Sequence, residues 1–177
     1  MRRPIQPRID CKEVAQYAAL YDSGADKPVE ELVSKVRSQG FLTKADLIIL
    51  GDWKSSRIRS RIARNTDLSV EEATGLALSC NSPRLAIHIP QALFGVGMPV
   101  ASTLVHWFHS ERYPILDFRA LWSLNIEMPS SYTLDFWEHY VGVARHVADL
   151  WEVDMRTLDR ALWQYSAAHQ PKGSEIP

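Results

Sequence analysis

Apolar residues recur with helical spacing along most of the chain. Residues 11–21 and 134–151 each carry an apolar stripe at the i, i+3, i+4, i+7 positions of one helix face. The first stripe consists of Val14, Tyr17, Ala18 and Tyr21. The second includes Leu134, Trp137, Val141, Ala144 and Val147. Convincing strand alternation is absent from the sequence, so the pattern predicts an all-α fold.

Further helices are predicted over 29–38, 69–79 and 156–167. Thr43 followed by Asp46 is typical of a helix start, and Ser69 with the acids that follow it predicts another. At about a dozen residues per helix, the chain accommodates roughly seven to nine helices. We expect a single compact multi-helix domain over residues 1–170 and a loose tail over 171–177.

Composition supports a globular domain, and the charge distribution adds a second feature. The 177 residues carry a net charge of −1, which argues against a generic polyanion binder. However, residues 54–64 hold five basic residues and no acidic one, whereas residues 127–159 hold seven acidic and two basic residues. A near-neutral total can therefore conceal one basic face suited to an anionic polymer.

Several classes of protein are excluded at this stage. Two cysteines, Cys11 and Cys80, cannot supply a disulfide framework or a four-cysteine iron–sulfur cluster. They favour a reducing, cytoplasmic setting. No run of 18 apolar residues occurs, so no membrane partner is expected.

The most informative segment runs from Pro83 to Leu124. It predicts a helix, a turn at Gly95-Val96-Gly97 and a second helix containing Ala101. Two glycines one residue apart permit a tight turn and a close approach of backbone to a partner. Pro99 suits N1, the first position of the following helix, where exposed amides attract an anion such as phosphate.

This segment resembles the helix-hairpin-helix DNA glycosylases of the endonuclease III-like superfamily. The hairpin, at about 83–109, is followed by Asp117, 22 residues after Gly95, at the distance of the aspartate characteristic of the superfamily. The run 113–117, Tyr-Pro-Ile-Leu-Asp, is similar to the adenine-glycosylase branch. The resemblance implies that double-stranded DNA is the partner and that Asp117 is catalytic.

The resemblance also implies how the hairpin would act. Gly95, Val96, Gly97 and Met98 would present backbone amides to phosphate, and carbonyls at 93–98 could hold a monovalent cation. Pro99 stands where lyase-competent members carry a lysine, and Phe94 where the hairpin often has proline. A proline cannot form a Schiff base, so any base removal would be monofunctional. No iron–sulfur cluster is expected.

Asp117 has a chemical and a structural interpretation. A carboxylate beside the deoxyribose would stabilise the positive charge that develops as an N-glycosidic bond breaks, and it could deprotonate water. An attraction of about 4 kcal/mol between charges at ~4 Å corresponds to roughly a thousandfold in rate. Alternatively, Asp117 caps a helix over 118–124. The two roles are compatible.

The basic segment supplies the remaining candidates. Lys54, Arg57, Arg61 and Arg64 have the spacing of one helix face, with Ile58 and Ile62 directed elsewhere. The face would contact phosphate, with Trp53 as a stacking or wedge residue. Alternatively, the charges are simply solvated and Trp53 belongs to the core.

His106 and His109 have a spacing compatible with metal binding, but lack further ligands, so we interpret them as histidines satisfied by hydrogen bonds. The leading hypothesis is a DNA-binding protein with monofunctional glycosylase activity. The alternatives are a non-catalytic DNA-binding module of the same fold and an α-helical protein-interaction domain.

Overall fold

The structure, a computed structural model, describes residues 6–171. Within this range the regular elements are ten α-helices and short 3-10 turns, with no strand. The all-α prediction is confirmed. The number of helices exceeds the predicted range because the chain contains one- and two-turn helices that apolar periodicity does not reveal. Apart from Pro171, the predicted tail at 171–177 lies outside the described residues.

The described residues form two compact units. The central unit comprises Ser23–Tyr113, and the terminal unit combines residues 6–22 with 114–171. The expectation of one domain over 1–170 stays a prediction. No helix in the described range is long and apolar enough to cross a membrane.

The central unit is organised around one almost fully buried helix. Its helices are α2 (Lys27–Gln39), α3 (Lys44–Lys54), α4 (Arg59–Ile62), α5 (Asp67–Ser79), α6 (Pro83–His88) and α7 (Met98–Phe108). Helix α7 packs against α2, α3, α5 and α6. Nearly all of its side chains are buried, which explains its apolar composition on every face.

The helix starts of this unit test the predicted caps. Thr43 accepts a hydrogen bond from the Asp46 N–H, and the Asp46 carboxylate accepts one from the Thr43 N–H. This capping box confirms the predicted start of α3. The start predicted at Ser69 is wrong, because α5 begins at Asp67 and Thr66 is its N-cap. The Thr66 hydroxyl accepts from the Ser69 N–H, so Ser69 lies inside the first turn.

The terminal unit contains α1 (Val14–Leu20), α8 (Phe118–Ser123), α9 (Leu134–Leu150) and α10 (Met155–His169). Helix α10 packs against α1 and α8, and Trp137 and Tyr140 of α9 are buried. The N-terminal segment joins this unit through backbone contacts: the Arg8 N–H donates to the Ser123 carbonyl at 2.8 Å. Asp117 therefore belongs to a unit built from both ends of the chain.

Candidate functional site

A five-residue loop, Leu93 to Gly97, connects the 3-10 turn Ile89–Ala92 to α7. The Val96 N–H donates to the Leu93 carbonyl and closes the turn. Gly95 has a φ of +81°, in the left-handed region that favours glycine. Gly97 is the N-cap of α7 and has no side chain to cap it. The turn is present as predicted, whereas the second helix begins at Met98, one residue before the start predicted at Pro99.

Helix α4 holds this loop in place through a close contact at Gly95. A Cβ added to Gly95 would lie only 3.0 Å from the Arg61 Cβ and from the Ile62 backbone nitrogen. This spacing is tighter than side chains normally tolerate. The second glycine differs, because a Cβ on Gly97 would meet only the Pro99 ring at 3.8 Å. Gly95 is thus the position where the loop requires glycine.

Asn65 makes a second connection between α4 and the loop. Its side-chain amide donates to the carbonyls of Ile62, at 2.9 Å, and Phe94, at 3.0 Å. Its oxygen accepts from the Phe94 N–H at 2.8 Å. Only 6% of Asn65 is exposed, so these bonds form away from solvent. Sequence reasoning missed Asn65, because nothing in the sequence pairs it with a residue 29 positions away.

The structure brings five predicted binding residues to one depression of about 460 Å³. We call this set the basic loop surface. It consists of Lys54, Arg61, Gly95, Val96 and Gly97. The basic segment and the glycine turn, separated by some 30 residues of chain, therefore share one side of the central unit. The sequence predicted both components as phosphate contacts but did not predict that they adjoin.

The basic segment is not the single helix that its spacing predicted, and that expectation is wrong. Helix α3 ends at Lys54, and Ser55 is extended, with φ −169° and ψ 114°. The chain then returns through a 3-10 turn, Ser56–Ile58, into α4. This reversal lets Ile58 and Ile62 pack on Gly51, where a Cβ would overlap the Ile62 side chain. The burial of these two isoleucines against α3 determines the local fold, although the charges have the spacing of one continuous helix.

The charges of this segment differ in their partners. Arg59 forms an ion pair with Asp52. Arg57 and Arg61 are exposed and make no ion pair within the described part of the chain. Arg57 does not line the depression that Arg61 lines. These two guanidinium groups are consequently available to an external anion.

Two other candidates are held inside the central unit. Only 6% of Met98 is exposed, so Met98 can offer a partner its backbone N–H but not its side chain. Trp53 is half-buried: its indole N–H donates to buried Asp26 at 3.2 Å, and its ring lies edge-on to Trp107. These contacts match the core interpretation of Trp53, while its role in binding stays a prediction.

The loop differs in how many of its amides and carbonyls are engaged by hydrogen bonds within the described residues. Of the four amides predicted to contact phosphate, those of Gly95, Gly97 and Met98 donate no hydrogen bond within residues 6–171. The Val96 N–H already donates to the Leu93 carbonyl, so the structure does not present it to phosphate. The Gly97 carbonyl accepts from both Val100 and Ala101, and the Phe94 carbonyl accepts from Asn65. The monovalent cation implied by the family resemblance stays a prediction, with the Gly95 and Val96 carbonyls as the acceptors not engaged by hydrogen bonds.

Asp117 is the N-cap of α8, as the structural interpretation predicted. Its carboxylate accepts from the Arg119 N–H at 2.9 Å, and the residue remains half-buried. Its negative charge reaches two tyrosines of the terminal unit. Burial, and after it the charge of Asp117, raises the pKa of the Tyr132 hydroxyl. Burial likewise raises the pKa of Tyr140, whose hydroxyl donates to the Ile115 carbonyl at 2.7 Å. The negative charge of Asp117 thus disfavours ionisation of both hydroxyls.

The two histidines of α7 and its end are both satisfied, as expected. His106 Nδ1 lies 2.7 Å from the Tyr113 carbonyl. His109 Nε2 lies 3.0 Å from the Cys80 carbonyl, while its Nδ1 accepts from the Glu111 N–H. Among the residues that the structure describes, no group of three or more His, Cys, Asp or Glu side chains is placed to hold a metal.

Comparison with protein-family models, with curated proteins and with solved structures finds no match for this chain.

Proposed function

We propose that this protein binds duplex DNA through the basic loop surface, using the loop before α7 as a helix-hairpin-helix phosphate contact. The proposal depends on one observation: loop amides that donate no hydrogen bond within residues 6–171 adjoin the side chains of Lys54 and Arg61 on one side of the central unit. Backbone N–H groups at a helix start attract phosphate, and Lys54 and Arg61 add positive charge beside them.

The chemistry of the surface favours a polyanion over an apolar protein partner. The charged groups that line it are the ammonium of Lys54 and the guanidinium of Arg61, and Ser55 adds a hydroxyl between apolar side chains. These groups and backbone amides recognise phosphate oxygens. Such contacts fix a duplex in register without reading its sequence. This matches a protein that must bind many sequences and select a site by another criterion.

We further propose that Asp117 makes the protein a monofunctional DNA glycosylase. In this reaction the C1′–N bond to the base breaks first, and water then adds its hydroxyl to the sugar C1′ while its proton is passed to the departing base. A carboxylate stabilises the cationic sugar between these two events. Because Pro99 has no side-chain amine, no covalent Schiff base can form there, and the product is an abasic site.

The binding proposal is tested by measuring affinity for a plain duplex as salt is raised. Removing one side chain that contacts phosphate lowers the slope of log affinity against log salt by about one. We expect Arg61→Gln to reduce the slope by about one. Arg37→Gln is the matched control, since Arg37 is an exposed arginine of the same unit outside the basic loop surface. Equal slopes for the two variants would contradict the proposed surface.

The catalytic proposal is tested with duplexes that carry damaged or mismatched bases, heated in alkali after incubation. Strand breaks that require the alkali reveal abasic sites. Breaks on one substrate would support the glycosylase and name its base. Salt-sensitive binding without breaks on any substrate would favour the non-catalytic module. Absence of binding at low salt would overturn both DNA proposals and favour a protein-interaction domain.

A further inference from the structure

The tip of the loop carries an aromatic side chain that the phosphate contacts do not use. Phe94 lies next to Gly95, and 53% of it is exposed. Among the described residues of the central unit, Phe94 is the one aromatic member of the exposed large apolar residues, the others being leucines. About half of Phe94 therefore remains open to a ligand.

The backbone of Phe94 is held firmly although its ring is exposed. Asn65 binds both the N–H and the carbonyl of Phe94, at 2.8 and 3.0 Å. The next residue, Gly95, lies in close contact with α4. A ring presented from a fixed backbone loses little conformational entropy when it binds a partner. The arrangement therefore favours recognition over a flexible solvent-exposed contact.

Arg64 gives the exposed ring a cationic neighbour. Its guanidinium carbon lies 4.3 Å from the Phe94 ring centroid, within range for a cation–π contact. An aromatic face combined with a guanidinium group suits a ligand that is both planar and part of a polyanion. Nucleobases stack on aromatic and guanidinium planes, whereas an apolar protein side chain gains nothing from the adjacent charge.

We propose that Phe94 and Arg64 form a stacking site for an unpaired base of the bound DNA. The inference rests on the proposed DNA binding. It adds recognition of an unpaired base, which the phosphate contacts cannot provide. A paired base inside a duplex exposes only its edges, so its face reaches the Phe94 ring only after it has left the stack. An unpaired or mismatched base leaves at the lowest cost, and the site would select for it.

The test compares two DNAs that differ by a single unpaired adenine, one a fully paired duplex and the other the same duplex with the adenine bulged. We expect the wild type to bind the bulged DNA more tightly. Phe94→Leu keeps an exposed apolar side chain but removes the ring. It should lower the preference for the bulge by at least about fivefold, the lower end for base–aromatic stacking. Affinity for the paired duplex should stay within about twofold.

Two further variants separate stacking from a structural effect. Phe94→Trp keeps an aromatic face and should retain the preference. Leu85→Ala changes another exposed apolar residue of the central unit, 52% exposed, and should leave both affinities unchanged. Thermal melting checks that every variant is folded.

The outcomes distinguish this inference from the proposed function. Loss of the bulge preference in Phe94→Leu alone supports the stacking site. A preference that is equal in wild type and Phe94→Leu overturns the stacking site but leaves the basic loop surface intact. Absence of wild-type binding to either DNA overturns the proposed function, and the inference with it.

Discussion

Helices α7 and α8 begin in opposite ways. Helix α7 starts after Gly97, which offers no side chain, and the N–H groups of Gly97 and Met98 are not engaged within the described residues. Helix α8 starts after Asp117, whose carboxylate accepts the Arg119 N–H. The start of α7 can therefore receive an external anion, whereas the start of α8 already has the carboxylate of Asp117.

Under the proposed function, the two units would have different roles. The central unit presents a helix start, cations and a fixed loop, all of which attract phosphate. The terminal unit presents a carboxylate that would repel phosphate but would stabilise a cationic sugar. Each of the following experiments changes one side of the comparison.

The largest expected effect is on chemistry. Replacing Asp117 by asparagine keeps a capping oxygen for the Arg119 N–H, so stability should hardly change. The negative charge is lost, and base removal should fall by roughly a thousandfold. Asp154→Asn is the matched control, because Asp154 caps α10 in the same unit. The cleavage panel measures both variants, and similar rates for both would reduce Asp117 to a helix cap.

The next largest effect concerns Asn65, whose hydrogen bonds hold the loop that precedes α7. Asn65→Ala removes three hydrogen bonds and leaves the Phe94 backbone without its partner. Unsatisfied buried groups make this change cost about 1–3 kcal/mol, and DNA affinity should fall because the loop is no longer fixed in position. Denaturant unfolding and duplex binding measure the two consequences.

Asn81→Ala provides the comparison for that experiment, since Asn81 is exposed in the same unit. It should leave both quantities unchanged. If Asn65→Ala lowers stability while duplex affinity stays at the wild-type value, the fixed loop is not needed for binding.

A smaller effect distinguishes the two glycines. Gly95→Ala forces a left-handed conformation on an L residue, which costs about 1–2 kcal/mol, and brings its Cβ to 3.0 Å from α4. Gly97→Ala meets only ordinary contact at φ −87°. We expect Gly95→Ala to weaken duplex binding and Gly97→Ala to preserve it. The opposite order would show that the helix start, and not the loop shape, requires glycine.

The sequence predicts the helices better than it predicts the site. Long amphipathic stripes such as 134–151 identified their helices because periodic burial is a local signal. The prediction of one helix over 54–64 is wrong because Ile58 and Ile62 pack back onto Gly51, and sequence spacing does not reveal this contact. Asn65 was missed for the same reason. The components of the site can be read from local chemistry, but their adjacency depends on tertiary packing.

The smallest expected effect tests whether a carboxylate that caps a helix contributes only to stability in this protein. Asp154 is exposed and caps α10, accepting the Thr157 N–H at 2.9 Å. Burial tends to raise the pKa of Asp154, but hydrogen bonds from the Thr157 side chain and from backbone N–H groups outweigh it and hold the pKa below the usual 3.8. A lowered folded-state pKa means that the charged cap stabilises the protein above the unfolded pKa. That contribution is lost as pH falls through the folded pKa.

Asp154→Ala should therefore cost about 1 kcal/mol at neutral pH and progressively less below pH 3.8. Denaturant unfolding at a series of pH values measures the difference from wild type. Base removal should be unaffected, because Asp154 caps α10 and has no proposed contact with the substrate. The opposite outcome is that Asp154→Ala abolishes base removal as completely as Asp117→Asn. Both losses would then be explained by lost helix capping, and the carboxylate of Asp117 would have no separate chemical role.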